Sequence, residues 1–256
     1  MNRIQLQQVE HSFKVGDIPP EKDPTLFEDS LFFDREEPVG FYLSKLPDRL
    51  EQLVNIADAE LNSDRVPKSN MRRSSGLHSK EAEVDQYSCI IGSIPPKPNM
   101  RRPYASKSSV HLKESARDFV KAMTLAGIEA LNLLKKISPD LFDIHKKSVE
   151  ERVPEKWRFA DLFTSSISNY NISAPIHQDR LNVKGAVNLI ITKRRNSTGG
   201  NLFIPDYDLT VNSLNNSLLV YPAWRNMHGV TPIVPTHTGG YRNSLIWYAL
   251  DRFGNF

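Results

Sequence analysis

His177 and Asp179 stand two residues apart in the segment Ala174-Pro175-Ile176-His177-Gln178-Asp179-Arg180-Leu181-Asn182. Residues i and i+2 of a strand face the same side, so this pair aims an imidazole and a carboxylate at one point. A His-x-Asp is common by chance and needs a third donor. His228 supplies one about fifty residues later, at the head of the apolar run His228-Gly229-Val230. Two histidines and one carboxylate on one face of a metal form the facial triad that holds non-heme Fe(II) and leaves positions open. Those positions let a chelating cosubstrate and O₂ bind side by side. Cys89 is the one cysteine, which excludes thiolate clusters and intrachain disulfides. Any metal here must use histidine and carboxylate. His11, His78, His111, His145 and His237 read as ordinary surface or turn histidines.

A second group lies in Gly240-Tyr241-Arg242-Asn243-Ser244-Leu245-Ile246-Trp247-Tyr248. As a strand, this places Arg242 and Ser244 on one face and Tyr241, Asn243 and Leu245 on the other. Arg offers a carboxylate a planar, two-pronged partner, and a Ser hydroxyl adds a donor. Alone, Arg242 reads as half of a surface ion pair. Fourteen residues after His228, it reads as the anchor for the far carboxylate of a dicarboxylate that chelates the iron.

The elements that must position these groups follow from periodicity. Leu50, Leu53, Ile56 and Leu61 predict a helix over 48–62. Leu112, Ala116, Phe119, Val120, Met123, Gly127, Ala130, Leu131 and Leu134 predict a longer one over 112–137, broken at Ser138-Pro139, with a shorter helix continuing to Val149. From residue 157 the character changes to short β-branched runs, at 159–168, 172–176, 185–193, 201–204, 217–221, 228–234 and 241–250. Helices followed by evenly spaced strands predict an α+β fold, a β-barrel or jelly roll with supporting helices. Residues 1–156 would supply N-terminal strands, a basic loop region and helices, and 157–256 the metal-binding β core, within one domain.

Order and spacing together resemble the 2-oxoglutarate/Fe(II) dioxygenase superfamily: His-x-Asp, a distal His, then Arg-x-Ser on the final strand. The resemblance covers roughly residues 157–250 and implies a double-stranded β-helix core. It also implies Fe(II) and 2-oxoglutarate as cofactors, O₂ as co-reactant, and hydroxylation coupled to decarboxylation of oxoglutarate to succinate. In detail the chain looks most like the TET/JBP group, which hydroxylates the 5-methyl group of pyrimidines in nucleic acid. Asn182, three residues after Asp179, stands where that group places a base-contacting Asn. The short spacing between the two histidines is similar, as is Gly199-Gly200-Asn201-Leu202-Phe203-Ile204-Pro205. Asn169, Tyr170 or Asn171 would contact oxoglutarate. Prolyl hydroxylases generally carry Lys where Arg242 stands. The same chemistry on a protein side chain or small molecule stays open, as does a catalytically silent barrel that only binds.

Charge is unevenly distributed along the chain, and the basic part reads either as a solvated loop or, if the substrate is DNA, as its contact. The chain has 256 residues and a net charge of +3. Residues 65–113 hold ten Lys and Arg against three acidic residues, Glu81, Glu83 and Asp85. That stretch is therefore +7, and the remainder is −4. Arg72, Arg73, Arg101, Arg102 and Lys107 are candidate phosphate contacts for a DNA substrate, with Tyr104 as a stacking platform. Lys193, Arg194 and Arg195 form a second basic cluster. The single cysteine points to a reducing, intracellular compartment, and no apolar run is long enough to cross a membrane.

Overall fold

Alternation along the last strand sorts its side chains onto two faces of a sheet, and the layers of the protein follow from what each face meets. The computed structural model describes residues 1–70, 86–97 and 103–253. The N-terminal strands are β1 (Asn2–Leu6), β2 (Ser30–Asp34), β3 (Glu37–Leu43), β4 (Ser69–Asn70), β5 (Tyr87–Ile94) and β6 (Ser106–Lys107). The later strands are β7 (Ser165–Tyr170), β8 (Ala174–His177), β9 (Asn188–Arg195), β10 (Ser197–Gly199) and β11 (Leu202–Ile204). They continue with β12 (Leu209–Val211), β13 (Ser217–Tyr221), β14 (His228–Val230), β15 (Ile233–Pro235) and β16 (Tyr241–Tyr248).

Among the described residues these strands build a ten-stranded sheet, β1-β2-β3-β13-β9-β16-β7-β5-β4, with β6 paired to β5. A four-stranded sheet runs β12-β11-β14-β8, and β10 pairs with β15. From β7 on, the chain alternates between the two main sheets. β7, β9, β13 and β16 lie in the large one, and β8, β11, β12 and β14 in the small one. This winding is a double-stranded β-helix, the α+β jelly roll expected from the sequence.

Helices α1 (Asp48–Asn62) and α2 (Arg117–Ile137) cover the outer face of the large sheet, and α3 (Pro139–Arg152) packs beside α2. Leu50, Val54, Ala57 and Leu61 of α1 and Phe119, Met123, Ala130 and Leu134 of α2 are buried against Leu189, Ile191, Leu218, Val220, Leu245 and Trp247. Burying such side chains contributes roughly 1.5–3 kcal/mol each. The α2–sheet contact depends on Gly127, where an added Cβ would stand 2.6 Å from the Trp247 Nε1. That indole N–H donates to the Met123 carbonyl at 3.0 Å. Helix α2 therefore grips β16, the strand that carries Arg242.

Several sequence expectations need correction. The basic loop region is more than a loop, because β5 lies inside it and pairs with β7, Cys89 opposite Ser168. Helix α2 starts after Leu112, which is 72% exposed and has no burial to draw it in. The strand expected from residue 159 begins at Ser165; Ala160 and Asp161 before it take positive φ. His145 is fully buried, not a surface histidine. Its Nδ1 accepts the Val187 N–H at 3.1 Å. No helix among the described residues is long and apolar enough to cross a membrane.

Candidate metal centre

The turn of the chain from β8 into the next loop brings His177 and Asp179 to one spot. β8 and β14 are antiparallel neighbours with His228 directly opposite His177, and the two rings lie 4.4 Å apart between centroids. One donor atom from each of His177, Asp179 and His228 falls within 4.8 Å of the others. That is close to what one ion can bridge with ligand bonds of about 2.1 Å. The three residues predicted from sequence are therefore brought together.

Hydrogen bonds set the tautomers. His177 Nδ1 lies 2.8 Å from the Pro175 carbonyl oxygen, and His228 Nδ1 lies 3.2 Å from that of Asn226. A carbonyl only accepts, so each Nδ1 carries the proton and each Nε2 keeps a free lone pair, the usual arrangement of metal-binding histidines. Burial, and then the neighbouring His177, push His228 well below its usual range, which keeps it a neutral donor. Asp179 is held by two amides. Asn188 Nδ2 donates to Asp179 Oδ2 at 3.2 Å, and Asn182 Nδ2 donates to the same oxygen at 3.5 Å and to Asn188 Oδ1 at 2.9 Å.

The triad opens into a cavity of about 430 Å³ between the two sheets, which Asn169, Asn182, Arg242 and Ser244 also line. Arg242 is 2% exposed. Its Nε has no partner, and one terminal nitrogen reaches the Ser213 Oγ at 3.4 Å. No carboxylate among the described residues forms an ion pair with it. Burial lowers its guanidinium to about 9, with the like charge of Arg194 adding to the effect. Gly200 leaves it room: with φ +67, a Cβ there would stand 3.1 Å from the Arg242 Cδ. A buried cation without an anion, facing the same cavity as a three-donor metal site, fits a dicarboxylate chelator. The residues present thus suit both Fe(II) and 2-oxoglutarate.

Other candidates fall elsewhere. Asn171 is not in the cavity wall; its Oδ1 accepts the Arg242 backbone N–H at 2.9 Å. Tyr170 points away and stacks between Tyr87 and Tyr241, at 4.3 and 5.1 Å. Lys193 is buried and donates to Asn55 and Asn216 at 2.6 and 2.7 Å. Lys107 donates to the Ser93 Oγ at 2.9 Å. Tyr104 is 77% exposed. Arg72, Arg73, Arg101 and Arg102 lie outside the described residues. Sequence reasoning missed Asn188, Ser213, Gly200 and Asn226. Asn188 opens β9 on the face that Ile190 and Thr192 share, so its alternation was a usable signal; Ser213 and Gly200 are set by contacts distant in the chain, and Asn226 meets His228 through a backbone carbonyl that no residue type marks.

No protein-family model matches the sequence, and no curated protein matches it. Solved structures do. NgTET1 in complex with 5mC DNA is similar with a TM-score of 0.59 at 14% identity, over 91% of this chain and 82% of that one. An oxidoreductase of the 2OG-Fe(II) oxygenase family from Burkholderia pseudomallei gives 0.46 at 13%, over 83% and 88%. OsALKBH1 gives 0.45 at 12%, over 83% and 97%. The chain therefore shares its fold with NgTET1 over nearly its whole length.

Proposed function

We propose that this chain is an Fe(II)- and 2-oxoglutarate-dependent dioxygenase acting on the 5-methyl group of a pyrimidine, thymine or 5-methylcytosine, in nucleic acid. The observation that carries the oxygenase reading is the pairing of the His177–Asp179–His228 triad, in one cavity, with a buried Arg242 that has no carboxylate partner among the described residues. Iron and oxoglutarate, when bound, supply the oxidation of a C–H bond by O₂, with succinate and CO₂ as co-products. The chain's own residues do the positioning. His177, Asp179 and His228 hold the metal, Asn188 and Asn182 fix the carboxylate that one of them offers, and Arg242 and Ser244 take the far carboxylate of oxoglutarate. Leu202, Val211, Leu219 and Ile246 form apolar cavity wall, which keeps water from the oxidising centre.

The nucleic-acid substrate is supported by the fold shared with NgTET1, a protein captured on 5mC DNA. Asn182 beside Asp179 and the basic composition of residues 65–113 support it too. A cavity between two sheets is closed to a base inside a duplex, so the target must be flipped out or single-stranded. Gln178, Arg180 and Leu181 line the cavity, and Leu181 is 46% exposed; these residues would meet the nucleotide at the rim.

The test is incubation with Fe(II), oxoglutarate and DNA containing thymine or 5-methylcytosine, followed by mass spectrometry of nucleosides and assay of succinate. We expect a hydroxymethylated base and succinate, both lost in His177→Ala and Asp179→Ala proteins that remain folded. Succinate without a modified base would move the substrate to a protein side chain or small molecule. No succinate at all would leave a silent binding barrel.

A further inference from the structure

Residues 9–26 form a strap over the small sheet, on the face turned away from the cavity. The Val9 N–H donates to the Asp206 carbonyl at 2.9 Å, and Phe13 packs edge-on against Phe203 at 5.3 Å. The strap then closes the open edge of β8: the Gly16 N–H donates to the Ile176 carbonyl and the Ile176 N–H to that of Asp17, both at 2.8 Å. Pro19 crosses so near β14 that a Cβ on Gly229 would stand 2.5 Å from its Cγ. Lys22 reaches Asp208 at 2.6 Å. At the opposite edge, the Thr25 N–H donates to the Thr210 carbonyl at 2.8 Å and the Asn212 N–H to that of Leu26 at 3.1 Å. Unpaired strand edges are thereby satisfied on both sides of the sheet that carries two of the three metal donors.

One chain of contacts leads from the strap to the metal centre. His11 Nε2 lies 2.9 Å from Asp206 Oδ1. Asp206 Oδ2 accepts the Asn226 Nδ2–H at 2.6 Å, and Tyr207 donates to the Asn226 Oδ1 at 3.5 Å. The carbonyl of that same, 3% exposed Asn226 faces His228 Nδ1. Asn226 is therefore clamped through its side chain while its backbone orients the distal histidine.

We infer that Asp206 is a positioning residue for His228, and that the strap holds Asp206 in place through His11. The inference rests on the metal site proposed above. Partners beyond the ligands themselves typically change metal affinity by about 10–100-fold, because they fix the angle at which the imidazole meets the ion.

The test needs no turnover. The purified 256-residue chain is titrated with Co(II), and binding is followed by its visible absorption. Melting of the metal-free protein is recorded in parallel. Asp206→Ala and His11→Ala should each weaken Co(II) binding by about tenfold or more, and His11→Gln, which keeps a donor toward Asp206, should recover much of it. His11→Ala carries the test if Asp206→Ala does not fold. Unchanged affinity in the alanine variants, with binding abolished in His177→Ala, overturns the inference while sparing the metal site. A lowered melting temperature without any change in affinity also overturns it, since that is a purely structural role. If the unaltered protein takes up no Co(II), or His177→Ala binds it equally well, the metal-site reading falls and the inference with it.

Discussion

Replacing Arg242 by Met should make the ligand-free protein more stable and blind to oxoglutarate. The side chain is buried, lacks a carboxylate partner and sits near Arg194, and these conditions lower its guanidinium to about 9. The fall from the usual 12.5 to 9 corresponds to roughly 5 kcal/mol of penalty on the charged form, an upper figure because relaxation and water entry reduce it. The sign is fixed by linkage. Below pH 9 both folded and unfolded chains hold the proton, so the folded state carries the whole penalty; between 9 and 12.5 the folded state sheds it and stability rises with pH. At neutral pH a near-isosteric, uncharged Met should remove a few kcal/mol of that burden, an upward shift of several degrees for a chain of this size. Oxoglutarate should stabilise the unaltered protein as the logarithm of its concentration over its Kd, because its carboxylate supplies the missing anion. Thermal melts at rising oxoglutarate, with Co(II) present throughout, read both effects. A Met variant that melts well below the parent, or that still shifts with oxoglutarate, would refute the assignment of Arg242 as a counter-ion in waiting. Arg242→Lys should keep a weaker oxoglutarate response, since a point charge replaces a planar fork.

Two further outcomes test the frame. His145 is fully buried, and burial holds it near 4 against an ordinary value of 6.5; the unfolded chain therefore binds the extra proton as pH falls from 6.5 to 4, and stability should drop by about 3 kcal/mol across that window. Urea melts over that range should show the slope, and His145→Asn, whose Oδ1 can still take the Val187 N–H, should flatten it. Gly127→Ala should cost about 1–3 kcal/mol by overpacking against Trp247, read as a lower denaturant midpoint, whereas an unchanged midpoint would show that α2 does not sit tightly on β16.

What the sequence discloses and what it hides divide along physical lines. The Arg242–Ser244 pair was legible because strand alternation is local: β16 places Arg242 and Ser244 in the cavity wall while Leu245 and Trp247 enter the helix-side core, whereas Asp179 joins His177 and His228 from the loop after β8 and not from a strand. Helix α1 was legible for the same reason, although Ile56, expected on its apolar face, is 50% exposed and the buried face runs through Val54 and Ala57. β5 was not. Its serines Ser88 and Ser93 are buried, so no polar–apolar alternation marks it, and its partner β7 lies far along the chain. His145 was misread because α3 is polar in composition, although it lies between the buried Leu141 and Val149 on one helix face and packs against Phe163 and Val187. The strap was invisible, since Gly16 and Thr25 look like loop residues until their partners on β8 and β12 are known.

The two halves of the site are also supported differently, and this bears on how each can fail. Arg242 belongs to the large sheet, whose outer face is covered by α1 and α2 and anchored by the Trp247 bond to Met123. Its position draws on the main core, so changes that loosen it should cost global stability as well. His177 and His228 belong to the four-stranded sheet, which has no helix behind it among the described residues and depends on the strap for its edges. Local opening costs less free energy where buried apolar contacts are few. Metal affinity should thus be lost before the fold as the protein is destabilised, with oxoglutarate anchoring the more durable of the two functions.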